Sequence, residues 1–251
     1  MSRFAEYTPL IYGETVGWVN GKRVTRELTP REYETLLSLV SHWKTHLRWL
    51  VADRLGKIGN PQAVEPLITA LNDPHWLVRL HSAKALGRIG EPRAAGPLLK
   101  ALSNQCPYVR RRVVTSLGQF SDKEIIRALV SAFEDQDRGV RIRAIEGLKN
   151  IGSPEAIPAI AEITRDEDAI VSWTAMSAFQ GIGSASTEAL VILANDAKDE
   201  VRFRAIKTLG TVGDRRAIPT LTRVMSDPDE SVKLRNRAKL SLGGVEYRYS
   251  R

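Results

Sequence analysis

"WLVRLHSAKALGRIGEP" at residues 76–92 places a Val-Arg pair ahead of an alanine-rich run that closes on Gly-x-Ile-Gly and a proline. Its apolar residues suit one face of an amphipathic helix, but Leu80 interrupts the polar side. The same phrase recurs along most of the chain. It reads "LRWLVADRLGKIG" from Leu47, "VRRRVVTSLGQFS" from Val109, "VRIRAIEGLKNIG" from Val140, "VSWTAMSAFQGIG" from Val171, "VRFRAIKTLGTVG" from Val201 and, in a worn copy, "LRNRAKLSLGGVE" from Leu234. Successive anchors lie 31, 31, 31, 31, 30 and 33 residues apart, a period that marks a repeat architecture.

Each unit reads as two helices. In the first, apolar residues fall at the anchor, +4, +8 and +11, as at Val140, Ala144, Leu148 and Ile151, one stripe at helical period. Glycine at +12 suits a helix end, and a proline two residues on (Pro61, Pro92, Pro154) suits the first turn of the next helix. The second helix has its own stripe, such as Val64, Leu67, Ile68 and Leu71, and polar turns such as "NDP" (72–74) and "SDPD" (226–229) close the unit. Two such helices cannot bury their apolar faces alone, whereas stacked copies share a continuous core. The expected fold is therefore all-α: a right-handed solenoid of six or seven helix pairs.

The consensus "VRxxAAxALGxIG" followed by "xPxAVxPLxxAL" resembles the HEAT-like repeats of the phycobilisome-lyase type, over about residues 47–245. The resemblance implies that the Val-Arg helix lines a concave surface, with the other helix outside. It also implies, as one functional class, a bilin lyase subunit or a chromophore-handling chaperone, with bilin as ligand and a second HEAT-like subunit or a phycobiliprotein as partner.

Residues 1–46 lie outside the repeat. Asn20-Gly21, inside "VGWVNGKRV" (16–24), is a type I′ hairpin signal. A helix over 30–41 begins with Thr29 as N-cap, Pro30 at N1 and Glu32 at N3. This segment reads as a cap on the first repeat, with Trp18 as an alternative docking residue. The worn last copy reads as the opposite cap, and residues 246–251 form a tail.

The helical wheel explains Leu80. Core positions +4, +8 and +11 fall between about 20° and 80° from the anchor, and +2, +3, +6 and +10 on the opposite side, between about 200° and 300°. Those positions should be exposed and free of packing. Yet the +2 column holds Trp49, Leu80, Arg111, Ile142, Trp173, Phe203 and Asn236, most of them large and apolar. The +3 column beside it supplies His81, Arg112, Arg143 and Arg204, and Trp76 and Tyr108 stand just before their anchors as aromatic rims. An apolar ridge beside a basic rail, rich in Trp, Phe and Arg, predicts a partner-binding groove. The arginines at +1, such as Arg48, Arg79 and Arg141, face acidic turns and predict a ladder that holds repeat register.

Composition bounds the chemistry. The net charge of +8 suits an anionic partner, an acidic or amphipathic protein segment or, less readily, nucleic acid; the HEAT-like DNA glycosylases are a third functional class. Asp53 and Glu146 at +6 dilute that potential. The single Cys106 excludes an intramolecular disulfide, no apolar run spans a membrane, and the start lacks a signal-peptide pattern, so a cytoplasmic protein is expected. His42 and His46 have metal-pair spacing but no third ligand. No phosphate loop, nucleophile elbow or paired His-Glu set occurs, so the chain reads as a binding module without catalytic residues, metal or cofactor.

Overall fold

The computed structural model describes residues 4–12, 15–19, 22–25 and 27–249, with the backbone alone for 4–6, 8, 15–19 and 22–25. The chain divides into two compact units, Met1–Phe120 and Ser121–Arg251. The first holds α1 (Phe4–Tyr12), a hairpin of β1 (Thr15–Val19) and β2 (Lys22–Thr25), α2 (Pro30–Ser38), α3 (Thr45–Ile58), α4 (Val64–Ala70), α5 (Trp76–Ile89), α6 (Ala95–Lys100) and α7 (Pro107–Leu117). The second holds α8 (Lys123–Ser131), α9 (Arg138–Ile151), α10 (Ile157–Ile163), α11 (Ala169–Ile182), α12 (Thr187–Leu193), α13 (Asp199–Val212), α14 (Ile218–Ser226) and α15 (Val232–Tyr249). Each unit is a stack of helices in the repeat order, the all-α solenoid architecture expected from the repeat.

The repeat stripe explains the core. Anchors and +8 residues such as Leu47, Leu55, Val78 and Leu86 are buried, as are Val64, Leu67 and Leu98 of the second helices. The +5 column, which the wheel leaves unassigned, is buried as well: Ala52, Ala83, Val114, Ile145, Met176 and Ile206. The +12 glycine ends the first helix in the left-handed region, as at Gly59 (φ 77°) and Gly152 (φ 68°). The prolines that follow open a short 3-10 turn, as in Pro61–Ala63, before the second helix proper.

The +1 arginines form the expected ladder. Arg48 Nε and Nη2 donate to the two Asp73 carboxylate oxygens at 2.6 and 3.0 Å, and its Nη1 reaches the carbonyls of His42 and Trp43. Arg141 likewise donates to the carbonyls of Asp135 and Gln136 in its own turn and to Asp166 in the next. Arg79 finds Asn104 where these two find an aspartate. The fifth copy departs from the pattern, with Ser172 in the arginine's place donating to the Thr164 carbonyl at 2.6 Å. Arg165, from the turn ahead of it, supplies the missing guanidinium to buried Asp196 at 2.7 Å.

At the N-terminal end, β1 and β2 pair antiparallel with Trp18 opposite Arg23. The Asn20-Gly21 turn and the Trp18 side chain lie outside the described residues. Thr29 caps α2 through a reciprocal pair: its side chain accepts from Glu32 N, and its own N donates to Glu32 Oε2 at 2.8 Å.

Candidate functional site

The sequence-predicted residues fall into two groups, one in each unit. In the first unit, α3, α5 and α7 carry Trp49, Trp76, Leu80, His81, Tyr108, Arg111 and Arg112, and none of them is buried. Trp49 and Leu80 are half-covered, so the +2 position has a packing duty that the wheel does not assign. The cover on Trp49 is the +3 residue of the following copy: the His81 ring lies 5.1 Å from the indole. Trp76 meets Tyr108 at 5.8 Å, and the Arg111 guanidinium lies 5.3 Å from the Tyr108 ring. Trp43, 78% exposed and bracketed by His42 and Lys44, is a further aromatic of this unit. Column alignment misses it because Trp43 lies in the turn before α3, outside the helical register.

The acidic +6 residue of this unit does not leave a negative patch. Asp53 receives Lys57 and Lys84 at 2.7 Å each, with Arg88 at 3.7 Å and His81 Nδ1 at 3.5 Å. Burial alone would raise its carboxyl; the hydrogen bonds from Lys57 and Lys84 overcome this and hold it well below the usual carboxylate range. Burial lowers the His81 imidazole below its ordinary value, against the opposing pull of Asp53.

In the second unit, Ile142, Phe203 and Arg204 are half-buried and Arg143 is exposed. Trp173 is 61% exposed. The rule seen at Trp49 holds at Phe203, which Arg237, the +3 residue of the next copy, covers at 5.4 Å, with Lys233 at 4.5 Å. It breaks at Trp173. Arg204, the corresponding +3 residue, reaches instead to Ser172 Oγ at 3.0 Å and to Glu200 at 2.9 Å. A serine in the arginine's place opens room for that reach, and the indole is left uncovered. Trp173, Met176, Gln180, Phe203, Arg204 and Lys207 line an open groove of about 230 Å³.

The basic rail of this unit is only partly available. Arg143 pairs with Glu146 at 2.5 Å, and Arg204 is held by Glu200. Beside the groove, Lys207, Lys233 and Arg237 have no carboxylate partner among the described residues. Arg237 belongs to the +3 column and is legible there. Lys233 and Lys207 are not, because −1 and +6 carry no constant residue type. Among the described residues no group of three or more His, Cys, Asp or Glu side chains could hold a metal ion. No helix among them is long and apolar enough to cross a membrane.

The family model for HEAT repeats matches residues 33–104, 95–180 and 186–245. The chain belongs to the HEAT-repeat family. No curated protein matches its sequence. Among solved structures, this HEAT-repeat chain is similar to the complex of CpcE and CpcF of phycocyanin lyase from Nostoc sp. PCC7120, at 23% identity and a TM-score of 0.55, over 92% of this chain and 99% of that one. It is similar to the YibA protein of E. coli at 18% identity and a TM-score of 0.53, over 97% of both chains. A further similarity is to Kap95p, solved with RanGDP, at 14% identity and a TM-score of 0.62, over 86% of this chain and 35% of that one. At these identities the likeness is one of fold, and it agrees with the HEAT-like repeat read from the sequence.

Proposed function

We propose that this HEAT-repeat protein is a non-catalytic scaffold that binds another protein through the open faces of its first helices, without metal or cofactor. The observation that carries the reading is the uncovered indole of Trp173 beside Phe203, with Lys207, Lys233 and Arg237 near it and not engaged by carboxylates. An exposed aromatic beside such cations has the composition of a binding hot spot, and the charge selects an acidic or amphipathic segment. Trp76, Tyr108 and Arg111 supply a second patch of the same chemistry on the first unit. The test is affinity capture from the native organism with wild type and a Trp173→Ala, Phe203→Ala variant. Loss of a bound protein from the variant supports the reading; identical captured sets overturn it.

A second reading is favoured by the same groove. A flat ring face beside available cations also suits a planar apolar ligand bearing carboxylates, such as the bilin implied by the resemblance. Visible absorbance of the protein mixed with a bilin, perturbed in wild type and not in the Trp173→Ala variant, supports it. A spectrum unperturbed by the wild-type protein removes it.

A further inference from the structure

The last helix, α15, contacts α13 and α14 through Leu234, Ala238, Ser241, Leu242 and Val245, all buried. Its opposite side is exposed. There Asn236, Leu240, Gly243 and Tyr247 follow one another at spacings of four, three and four, the a/d seam of a paired helix. Leu240 is 67% and Tyr247 59% exposed, a large apolar area for a surface helix. A Cβ placed on Gly243 would meet nothing within 4 Å, so the seam has an open hollow at its centre.

The occupant is not another repeat of the usual kind. Every preceding first helix presents a buried apolar residue at +5, and α15 presents exposed Lys239. A further copy stacked in register would bury that ammonium without a partner. Lys239 and Glu246, seven residues apart, instead occupy the same flank of the seam. A two-fold axis perpendicular to a helix brings each flank against itself, running the other way. It therefore sets Lys239 of one copy opposite Glu246 of the other, twice.

We propose that α15 pairs antiparallel with α15 of a second copy of this chain, about a two-fold axis between Leu240 and Gly243. Each Leu240 fills the hollow over the other copy's Gly243, each Tyr247 lies beside the other's Asn236, and two Lys239–Glu246 pairs close the same flank. The interface is isologous, so one patch serves both copies.

Sedimentation velocity of the full 251-residue chain tests this. The mass should rise with concentration from 27.9 kDa toward twice that value. Leu240→Glu should hold the chain monomeric over the same range. Lys239→Glu should raise the dissociation constant about tenfold, and adding Glu246→Lys should restore it. All three sites are exposed, and circular dichroism checks that the variants keep the wild-type fold. A wild-type chain that stays monomeric to about 200 µM overturns the proposal, on the scale where weak pairing would show. So does association that survives Leu240→Glu, or a double charge swap that fails to restore what the single reversal removes.

Discussion

Ser172 shows how far one residue reaches in a repeat array. Where its counterparts are arginines tied to the turns, the serine leaves Asp196 to Arg165 and gives Arg204 a hydrogen-bond acceptor, and Trp173 loses its cover. The ladder itself has a measurable worth. Arg48 and Asp73 are both largely buried, so Arg48→Ala strands a carboxylate and should cost about 3 kcal/mol, read as a lower urea midpoint. Stability should also depend on pH through residues of this kind. Burial would raise the Asp73 carboxyl, but Arg48 and the His75 amide hold it below its ordinary value. Its contribution is complete above about pH 4 and is lost as the pH falls through its folded value. Burial lowers the His81 imidazole, so its contribution is complete above about pH 6.5 and is lost as the pH falls from there through its folded value. Urea midpoints measured downward from about pH 7.5 should therefore begin to fall near about pH 6.5, and His81→Gln should remove that early loss.

At the scale of the element, α3 and α5, α5 and α7, and α13 and α15 approach one another through a +9 glycine facing a small +7 residue. A Cβ on Gly56 in α3 would lie 2.6 Å from the Ala85 Cα in α5, and one on Gly210 in α13 would lie 2.6 Å from the Ser241 Cβ in α15. Gly56→Ala should therefore destabilise the fold by about 1–3 kcal/mol, although alanine is the better helix former, because backbone must move. Gly96, exposed in α6, has nothing within 4 Å of where a Cβ would stand, and Gly96→Ala should stabilise by about 0.5–1 kcal/mol. Thermal unfolding of the pair checks both, and equal signs would remove the close-approach account. The helices themselves are legible in the sequence: the anchor, +4 and +8 stripe is a local periodicity. The close approach at +9 is not, since a glycine inside a helix reads as a flaw until its neighbour is in view.

At the scale of the whole molecule, the count of 37 lysines and arginines overstates the cations a partner would meet. Arg48, Arg141, Arg165 and Arg202 are committed to turns, and Arg143 and Arg204 to neighbouring glutamates. With about three available cations at the Trp173 groove, duplex DNA should bind weakly near 0.15 M salt, with a log–log salt slope near about −3. Tight binding with a slope steeper than about −6 would favour nucleic acid over a protein partner. The fold needs nothing beyond the chain's own order to be read, because a 31-residue period and a helical stripe are written in consecutive residues. The columns that carry the aromatics and arginines are legible in the same way. Which of those side chains stay available is settled in three dimensions. Cover on a +2 ring comes from the +3 side chain of the next copy, and an arginine's charge is free or neutralised according to which carboxylate packing brings beside it.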